Sequence, residues 1–343
     1  MKGTTIKKNS QTFFLFLVLI SGEFFAQNKQ IDSLTTLLKQ KNLPDSIKCK
    51  VIDKLMFVDE ENYYSWNNEL IKTSEIALTK SITKKDKDLY AEWLADATFN
   101  KGCEYEELSD TLNAMICFKK CLTLYKSNGN INEYGDTEYS MGVVYEKREM
   151  YPEAIALYLK AKGDHEIAKD DESLVHTLNS LGLNYSGSDD YENALKYYKE
   201  SLVVAKRLKD TLSIARSYSN MGLVYEQFGD IKTSLEYKLE ALKILEGFEI
   251  TKDVGTVLNN IALLYSGQGD YDNALKYYTK SYDLFLQLKD TGGLGLAHAN
   301  IGAMYVGMAD KVGNSNKVKH DSLLHIALSH TLKALEFRRA KKI

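Results

Sequence analysis

Small and apolar residues recur along this chain at helical spacing, and the whole pattern repeats every 40 residues. Six small residues, which we call the notch residues, mark the register: Gly102, Gly142, Gly182, Gly222, Ala262 and Gly302. A tyrosine follows each notch by three positions, at Tyr105, Tyr145, Tyr185, Tyr225, Tyr265 and Tyr305. A second small residue follows twelve positions after the first five notches, at Ala114, Ala154, Ala194, Ser234 and Ala274. A fixed period of this length predicts stacked structural repeats.

Two helices in each repeat account for this pattern. Residues three and four apart share a helix face, so Leu181, Gly182 and Tyr185 form one stripe. Ala194 and Tyr198 form the matching stripe on the next helix, and small residues let the two backbones approach closely. Gly-Asp pairs such as the one at 269–270 suit the turn, because Gly adopts positive φ and Asp caps the following helix. The sequence therefore predicts an all-α fold of antiparallel helix pairs.

The register divides the chain into an amino-terminal part and six repeats. Residues 27–85 keep the pattern poorly, and we interpret them as a helical cap with a divergent repeat. The repeats are predicted at about 86–129, 130–169, 170–209, 210–249, 250–289 and 290–343. The last contains a loop insertion at about 310–322, marked by Gly313 and its polar neighbours.

The first 26 residues resemble a signal peptide. Basic residues precede an apolar run from Phe13 to Ile20, and Ala26 stands at the expected cleavage site. The run is too short for an ordinary membrane span. Because Phe24 stands where a small residue is preferred, an uncleaved anchor stays open as an alternative. We expect an exported, periplasmic or envelope-associated protein.

Composition narrows the partners. The chain has 44 basic and 47 acidic side chains, so its net charge of −3 does not favour nucleic acid. Two prolines in 343 residues agree with a helical chain. The four cysteines, Cys49, Cys103, Cys117 and Cys121, lack the spacing of a metal finger or a redox motif. They are interpreted as small core residues, with a disulfide as the open alternative.

Gly182, Tyr185, Tyr191, Ala194, Tyr198 and Ser201, with their equivalents 40 residues away, resemble the tetratricopeptide repeat. The resemblance covers about residues 86–343 and implies a right-handed superhelical solenoid that binds a protein or peptide. The period departs from the usual one of about 34 residues, and the proline that often closes each unit is missing. Such long repeats resemble those of kinesin light chains and the periplasmic repeat regions of Gram-negative sensor kinases and regulators. The resemblance thus implies a scaffold or sensor module in signal transduction.

The resemblance also carries the family's groove positions onto the first helix of each repeat. Two residues before each notch stands a polar residue, and these form a predicted ladder: Asn100, Ser140, Ser180, Asn220, Asn260 and Asn300. Four residues after the notch, Glu106, Glu146 and Glu226 give the groove an acidic wall, and Arg216 is its strongly basic member. A neutral or basic partner segment is expected. Alternatively, the asparagines only tie neighbouring repeats together, and the glutamates form a solvated face.

No catalytic motif or phosphate loop is present in the sequence. His320, His325 and His330 are spaced by five, which scatters them around a helix, so no metal site and no cofactor are expected. The protein is therefore predicted to be non-enzymatic. Two alternatives stay open: a structural envelope protein, and an enzyme that uses Lys, His and Asp of the insertion at 311–325.

An apolar stripe on the last helix, formed by Leu328, Leu332, Leu335 and Phe337, would be covered by a further repeat if one followed. The basic end after it is either a poor cap or the edge of a longer signalling protein. A membrane contact is expected only through such a missing part or through an uncleaved signal anchor.

Overall fold

The computed structural model describes residues 27–245 and 252–340, and all regular structure in these ranges is helical. This confirms the predicted all-α class. The signal peptide expected at 1–26 lies outside the described residues. None of the described helices is both long enough and apolar enough to cross a membrane.

The chain divides into two compact units between Lys169 and Asp170. The helices of unit 1 are α1 (27–38), α2 (Asp45–Val58), α3 (Tyr63–Lys80), α4 (Lys84–Glu107), α5 (Thr111–Asn128), α6 (Ile131–Glu146) and α7 (Tyr151–Ala168). Those of unit 2 are α8 (Asp171–Gly187), α9 (Tyr191–Leu208), α10 (Thr211–Gln227), α11 (Ile231–Leu245), α12 (Lys252–Gly267), α13 (Tyr271–Gln287), α14 (Thr291–Val312) and α15 (Lys317–Ala340). From α4 onward, consecutive helices form antiparallel pairs, one pair for each predicted repeat.

Short turns with aspartate caps join the helices of a pair. Asp190 accepts a hydrogen bond from the backbone N–H of Asn193 at 3.2 Å and another from its side-chain amide at 2.8 Å. Asp270 and Asn273 repeat this geometry in α13. Just before these caps the backbone turns left-handed, with φ of 62° at Asp189 and 75° at Gly269. The cap satisfies N–H groups that a helix start would otherwise leave without a partner.

The notch residues are buried where the two helices of a pair cross. A methyl group at Gly102 would lie 2.6 Å from the Phe118 ring, and one at Gly142 would lie 2.6 Å from the Tyr158 ring. Gly182 faces the Tyr198 ring in the same way. The second small residues, Ala154, Ala194 and Ala274, are fully buried. Large rings thus occupy the space that the missing side chains leave.

The tyrosines three residues after the notch pack beside it. Three of them stack on a tyrosine of the second helix, with centroid distances of 5.3 Å for Tyr185–Tyr197, 5.3 Å for Tyr225–Tyr237 and 5.6 Å for Tyr265–Tyr277. In unit 1 Tyr145 packs instead against the core cluster around Phe118 and Met141. These contacts extend the core of each pair towards its turn.

The predicted loop at 310–322 is wrong in its extent. Helix α14 continues to Val312, α15 begins at Lys317, and only a short 3₁₀ turn, Gly313–Asn316, separates them. The polar residues after the turn form the exposed first turns of α15, since lysine and aspartate are compatible with a solvated helix. His320 and Asp321 lie there in contact at 3.1 Å.

A pair of histidines joins the two helices of the last repeat. His298 on α14 lies with its Nδ1 atom 2.9 Å from Nδ1 of His330 on α15, and Phe337 stacks on it. The four cysteines are free, and burial raises the pKa of the Cys103 thiol to about 11.

The apolar stripe of the last helix is exposed. Leu328, Leu332 and Leu335 of α15 are 55%, 52% and 43% exposed.

Candidate functional site

The ladder residues all lie on first helices and are partly exposed. Asn100 and Ser140 belong to α4 and α6 of unit 1. The other four belong to α8, α10, α12 and α14 of unit 2, at Ser180, Asn220, Asn260 and Asn300. The two units present these positions in different surroundings.

In unit 1, Asn100 and Ser140 line a cleft of about 380 Å³ between α4 and α6. Its other lining residues are three carboxylates and three aromatic rings: Asp96, Glu133, Asp136, Phe99, Tyr125 and Tyr139. Among the described residues, no lysine or arginine lines it. The cleft therefore combines negative charge with ring faces, and both of these attract a cationic group.

Asp96 is held in place at this cleft. The buried Tyr125 hydroxyl donates a hydrogen bond to Asp96 Oδ1 at 2.7 Å. The cleft walls limit the hydration of the Asp96 carboxylate, and this desolvation raises its pKa, while the hydrogen bond from Tyr125 acts in the opposite direction. Asp136 contacts the buried His165 ring, with 3.4 Å between Oδ1 and Nε2.

The predicted acidic wall has another role in the structure. Glu106 forms an ion pair with Lys147. Glu146 accepts a hydrogen bond from Tyr158 at 2.7 Å, and Glu226 accepts one from the buried Lys238 at 2.7 Å. Each of these glutamates thus has a partner in its own chain, and the acidic wall stays a prediction as a partner-binding feature. The carboxylates that line the cleft of unit 1 are Asp96, Glu133 and Asp136.

Helix spacing could have revealed these acids. Asp96 lies four residues before Asn100, and Asp136 lies four residues before Ser140, so each pair shares a face. The predicted groove included this repeat position only at Arg216, six residues before its notch. It therefore missed Asp96 and Asp136 at the equivalent positions of their repeats.

In unit 2, two ladder asparagines bond to the preceding repeat. Asn220 donates to Asn179 Oδ1 at 3.4 Å, and Asn300 donates to Asn259 Oδ1 at 3.2 Å. The alternative that asparagines tie neighbouring repeats together thus applies to these two. Within the described ranges, Asn260 makes no side-chain hydrogen bond.

Arg216, the basic residue assigned to the groove, pairs with Asp253 at 2.9 Å. Beside the ladder of unit 2 runs a row of leucines, Leu183, Leu223 and Leu263, which are 51%, 39% and 44% exposed. Arg216 is thus paired within its own chain, and three exposed leucines lie beside the ladder of unit 2.

Residues 27–245 and 252–340 contain no group of three or more His, Cys, Asp or Glu side chains placed to hold a metal ion. A larger cleft of about 800 Å³ lies among α1, α2 and α3, away from the ladder. Its lining mixes lysines, such as Lys39 and Lys72, with acids, such as Asp45 and Glu69.

Family models match most of the repeat region. One tetratricopeptide repeat model matches residues 133–202, 172–247 and 253–311, and a second matches residues 95–128. No curated protein is matched by sequence.

Solved helical repeat proteins are similar in fold. Aspartyl phosphate phosphatase F from Bacillus subtilis is 14% identical with a TM-score of 0.61, covering 98% of this chain and 96% of its own. A Rap protein complexed with competence and sporulation factor is 15% identical with a TM-score of 0.54, covering 86% and 96%. The Rap conjugation gene regulator of plasmid pLS20, in complex with the Phr* peptide, is 14% identical with a TM-score of 0.50, covering 91% and 96%.

Proposed function

Because the chain belongs to the tetratricopeptide repeat family, we propose that it is a non-catalytic scaffold that holds a polypeptide against the first helices of its repeats. The family and the similar helical structures support a protein-protein interaction role. One of those structures holds a peptide, which supports a peptide as the partner here as well.

The observation that carries the proposal is the cleft between α4 and α6. Three carboxylates and three rings surround it, with Asn100 and Ser140 as additional hydrogen-bonding groups. A lysine or arginine side chain fits this chemistry, because the carboxylates attract its charge and the rings contact its apolar stem. The partner segment is therefore basic where it meets unit 1.

Binding of two labelled, end-capped peptides tests this. One alternates lysine with serine and the other alternates glutamate with serine. We expect the lysine peptide to bind and the affinity to fall about tenfold in the double variant Asp96→Asn with Asp136→Asn, the loss of about 1.4 kcal/mol. The affinity should also fall with added salt.

A matched control removes two negative charges elsewhere in unit 1. Glu60 and Glu61 are exposed and lie outside the cleft, so Glu60→Gln with Glu61→Gln should leave the affinity unchanged. Equal effects of the two double variants would show that binding depends on the overall negative charge of unit 1 and not on the cleft. Tighter binding of the glutamate peptide would overturn the assignment.

We also propose that the protein is exported to the periplasm or envelope of a Gram-negative bacterium and takes part in signal transduction there. The support is the basic and apolar sequence of residues 1–26 and the resemblance of the long repeats to periplasmic sensor regions. Mass spectrometry of the mature protein should give an amino terminus at or within a residue or two of Gln27. An intact cytoplasmic species that starts at Met1 would overturn the export proposal.

A further inference from the structure

The second helix of two repeats carries a buried donor that bonds to a residue twelve positions earlier. Tyr158 donates from Oη to Glu146 Oε2 at 2.7 Å, and its side chain is fully buried. Lys238 donates from Nζ to Glu226 Oε2 at 2.7 Å, with 1% of the residue exposed. In both repeats a glutamate at the end of the first helix supplies the acceptor.

The repeat of α12 and α13 has the donor without this acceptor. Tyr278 occupies the donor position and is fully buried, but the residue twelve positions earlier is Ser266. Within residues 27–245 and 252–340, the Tyr278 hydroxyl has no hydrogen-bond partner. Burial of a polar group without a partner is unfavourable, so an external acceptor would be bound with a gain. Desolvation raises the pKa of Tyr278 to about 12, which keeps the phenol protonated and able to donate.

Tyr278 and Ser266 line the same cleft of unit 2, which has a volume of about 390 Å³. Aliphatic side chains form much of its wall, among them Leu263, Ile231 and Met304. The serine that replaces the glutamate of two other repeats is therefore part of a largely apolar cleft here.

We propose that this cleft is a subsite for an uncharged, aliphatic segment of the polypeptide partner, with a main-chain carbonyl accepting the hydrogen bond of Tyr278. The inference deepens the proposed function and rests on it. Of the described lining residues only Glu226 is charged, and it is already paired with Lys238. No cationic lining group would compensate an added carboxylate, so a neutral acceptor fits better than an anionic one.

The subsite is tested with N-acetylleucine methylamide, which carries a main-chain carbonyl and an aliphatic side chain without charge. Binding is followed through the methyl NMR signals of Met304 and Leu263 in the full chain. We expect saturable shifts, and an affinity about tenfold lower in Tyr278→Phe, as for loss of one hydrogen bond. Ser266→Glu should also abolish binding, because the new carboxylate would accept the Tyr278 hydrogen bond from within the chain.

Thermal unfolding without any ligand supplies a second readout. Tyr278→Phe should leave the melting temperature unchanged or higher, whereas Tyr158→Phe should lower it because an existing bond to Glu146 is lost. Ser266→Glu should raise it. Equal losses in the two Tyr→Phe variants would show that Tyr278 is already satisfied, which would overturn the proposal.

Ser186→Glu is the matched control, since it adds the same charge at the equivalent position of α8, outside this cleft. It should leave the affinity for the probe unchanged. Binding that survives both Tyr278→Phe and Ser266→Glu, or the absence of any binding by the native chain, would overturn the subsite. Tighter binding of N-acetylleucine, which has a free carboxylate, would overturn the neutral acceptor. If the chain binds the lysine peptide through unit 1 but does not bind N-acetylleucine methylamide, the subsite is overturned and the proposed function stands.

Discussion

The two units are built from the same repeat, yet their open faces differ in chemistry. Unit 1 places Asp96, Glu133 and Asp136 around three aromatic rings. Unit 2 has a row of exposed leucines, and its Asn220 and Asn300 bond to the preceding repeat. The Tyr278 hydroxyl of unit 2 has no hydrogen-bond partner in the described part of the chain. In a repeat protein, a side chain is available to a ligand only if the neighbouring repeat has not already bonded to it.

The asparagines illustrate this rule. Asn220 and Asn300 each face an asparagine 41 positions earlier. For Asn260 the residue at that spacing is Ser219, whose shorter side chain makes no such bond. Identical residues at identical repeat positions thus have different roles, and the residue of the preceding repeat decides which.

The largest effect is expected from the notches, where the units differ in what fills the space. Gly142→Ala in unit 1 would place a methyl group 2.6 Å from the Tyr158 ring, and a rigid ring cannot move away locally. We expect a loss of about 3 kcal/mol in the free energy of unfolding. Gly222→Ala in unit 2 would meet Lys238 Cγ at 2.9 Å and the Ser234 carbonyl at 3.1 Å. Because the Lys238 chain has more rotatable bonds than an aromatic ring, the loss should be smaller than at Gly142, about 1 to 2 kcal/mol. Urea unfolding measures both, and equal losses would remove this difference between the units.

The next effect is a pH dependence of unit 1. Glu138 on α6 is 5% exposed, and desolvation, followed by repulsion from Asp164, raises its pKa to about 7. Because the folded chain keeps this proton to a higher pH than the unfolded chain, the stabilisation is present at acidic pH and is lost as the pH rises through about 7. Glu138→Gln should remove this loss and be more stable than the native chain at pH 8 by up to about 3 kcal/mol. Both tryptophans, Trp66 and Trp93, lie in unit 1, so their fluorescence reports its unfolding. A difference between variant and native chain that is the same at pH 5 and pH 8 would contradict this.

Unit 2 should respond to pH with the opposite sign. Desolvation, followed by the proximity of His330, lowers the pKa of His298, so the unfolded chain binds a proton more readily than the folded one. The stabilisation is therefore present above the ordinary histidine pKa of about 6.5 and is lost as the pH falls through the lowered folded value. Acidification should lower the protection of α14 and α15 amides from hydrogen exchange, measured relative to the intrinsic exchange rate. This fall should be smaller in His298→Gln than in the native chain. An unchanged acid response would show that the histidine pair does not sense pH.

The smallest effect distinguishes the asparagines of unit 2. Asn220→Ala removes a 3.4 Å hydrogen bond and should cost about 0.5 kcal/mol, while Asn260→Ala should leave stability unchanged. Any effect of Asn260→Ala is expected on partner binding instead. Equal stability losses would mean that both asparagines tie repeats together.

Periodicity alone was enough to predict the helix pairs, because small and aromatic residues at fixed spacing leave few other ways to pack. The length of the loop around residues 313–316 was overestimated, because polar residues such as Lys317 and Asp321 suit a solvated helix as well as a loop. The site was harder to predict because its chemistry depends on contacts between repeats and between helices. The bond between Asn220 and Asn179 joins two repeats, and the pairing of Lys238 with Glu226 joins the two helices of one repeat, so neither can be predicted from a single helix.

The pairing of Tyr158 with Glu146, set beside Tyr278 with Ser266, also bears on how such proteins diversify. A mutation of one codon at the end of a first helix, from glutamate to serine or the reverse, would remove or restore the acceptor for the buried tyrosine of that repeat. Chain length, register and the contacts of the other repeats would be unaffected. Duplicated repeats of this type can therefore acquire new partners in small inherited steps, each copy evolving while its neighbours maintain the stack.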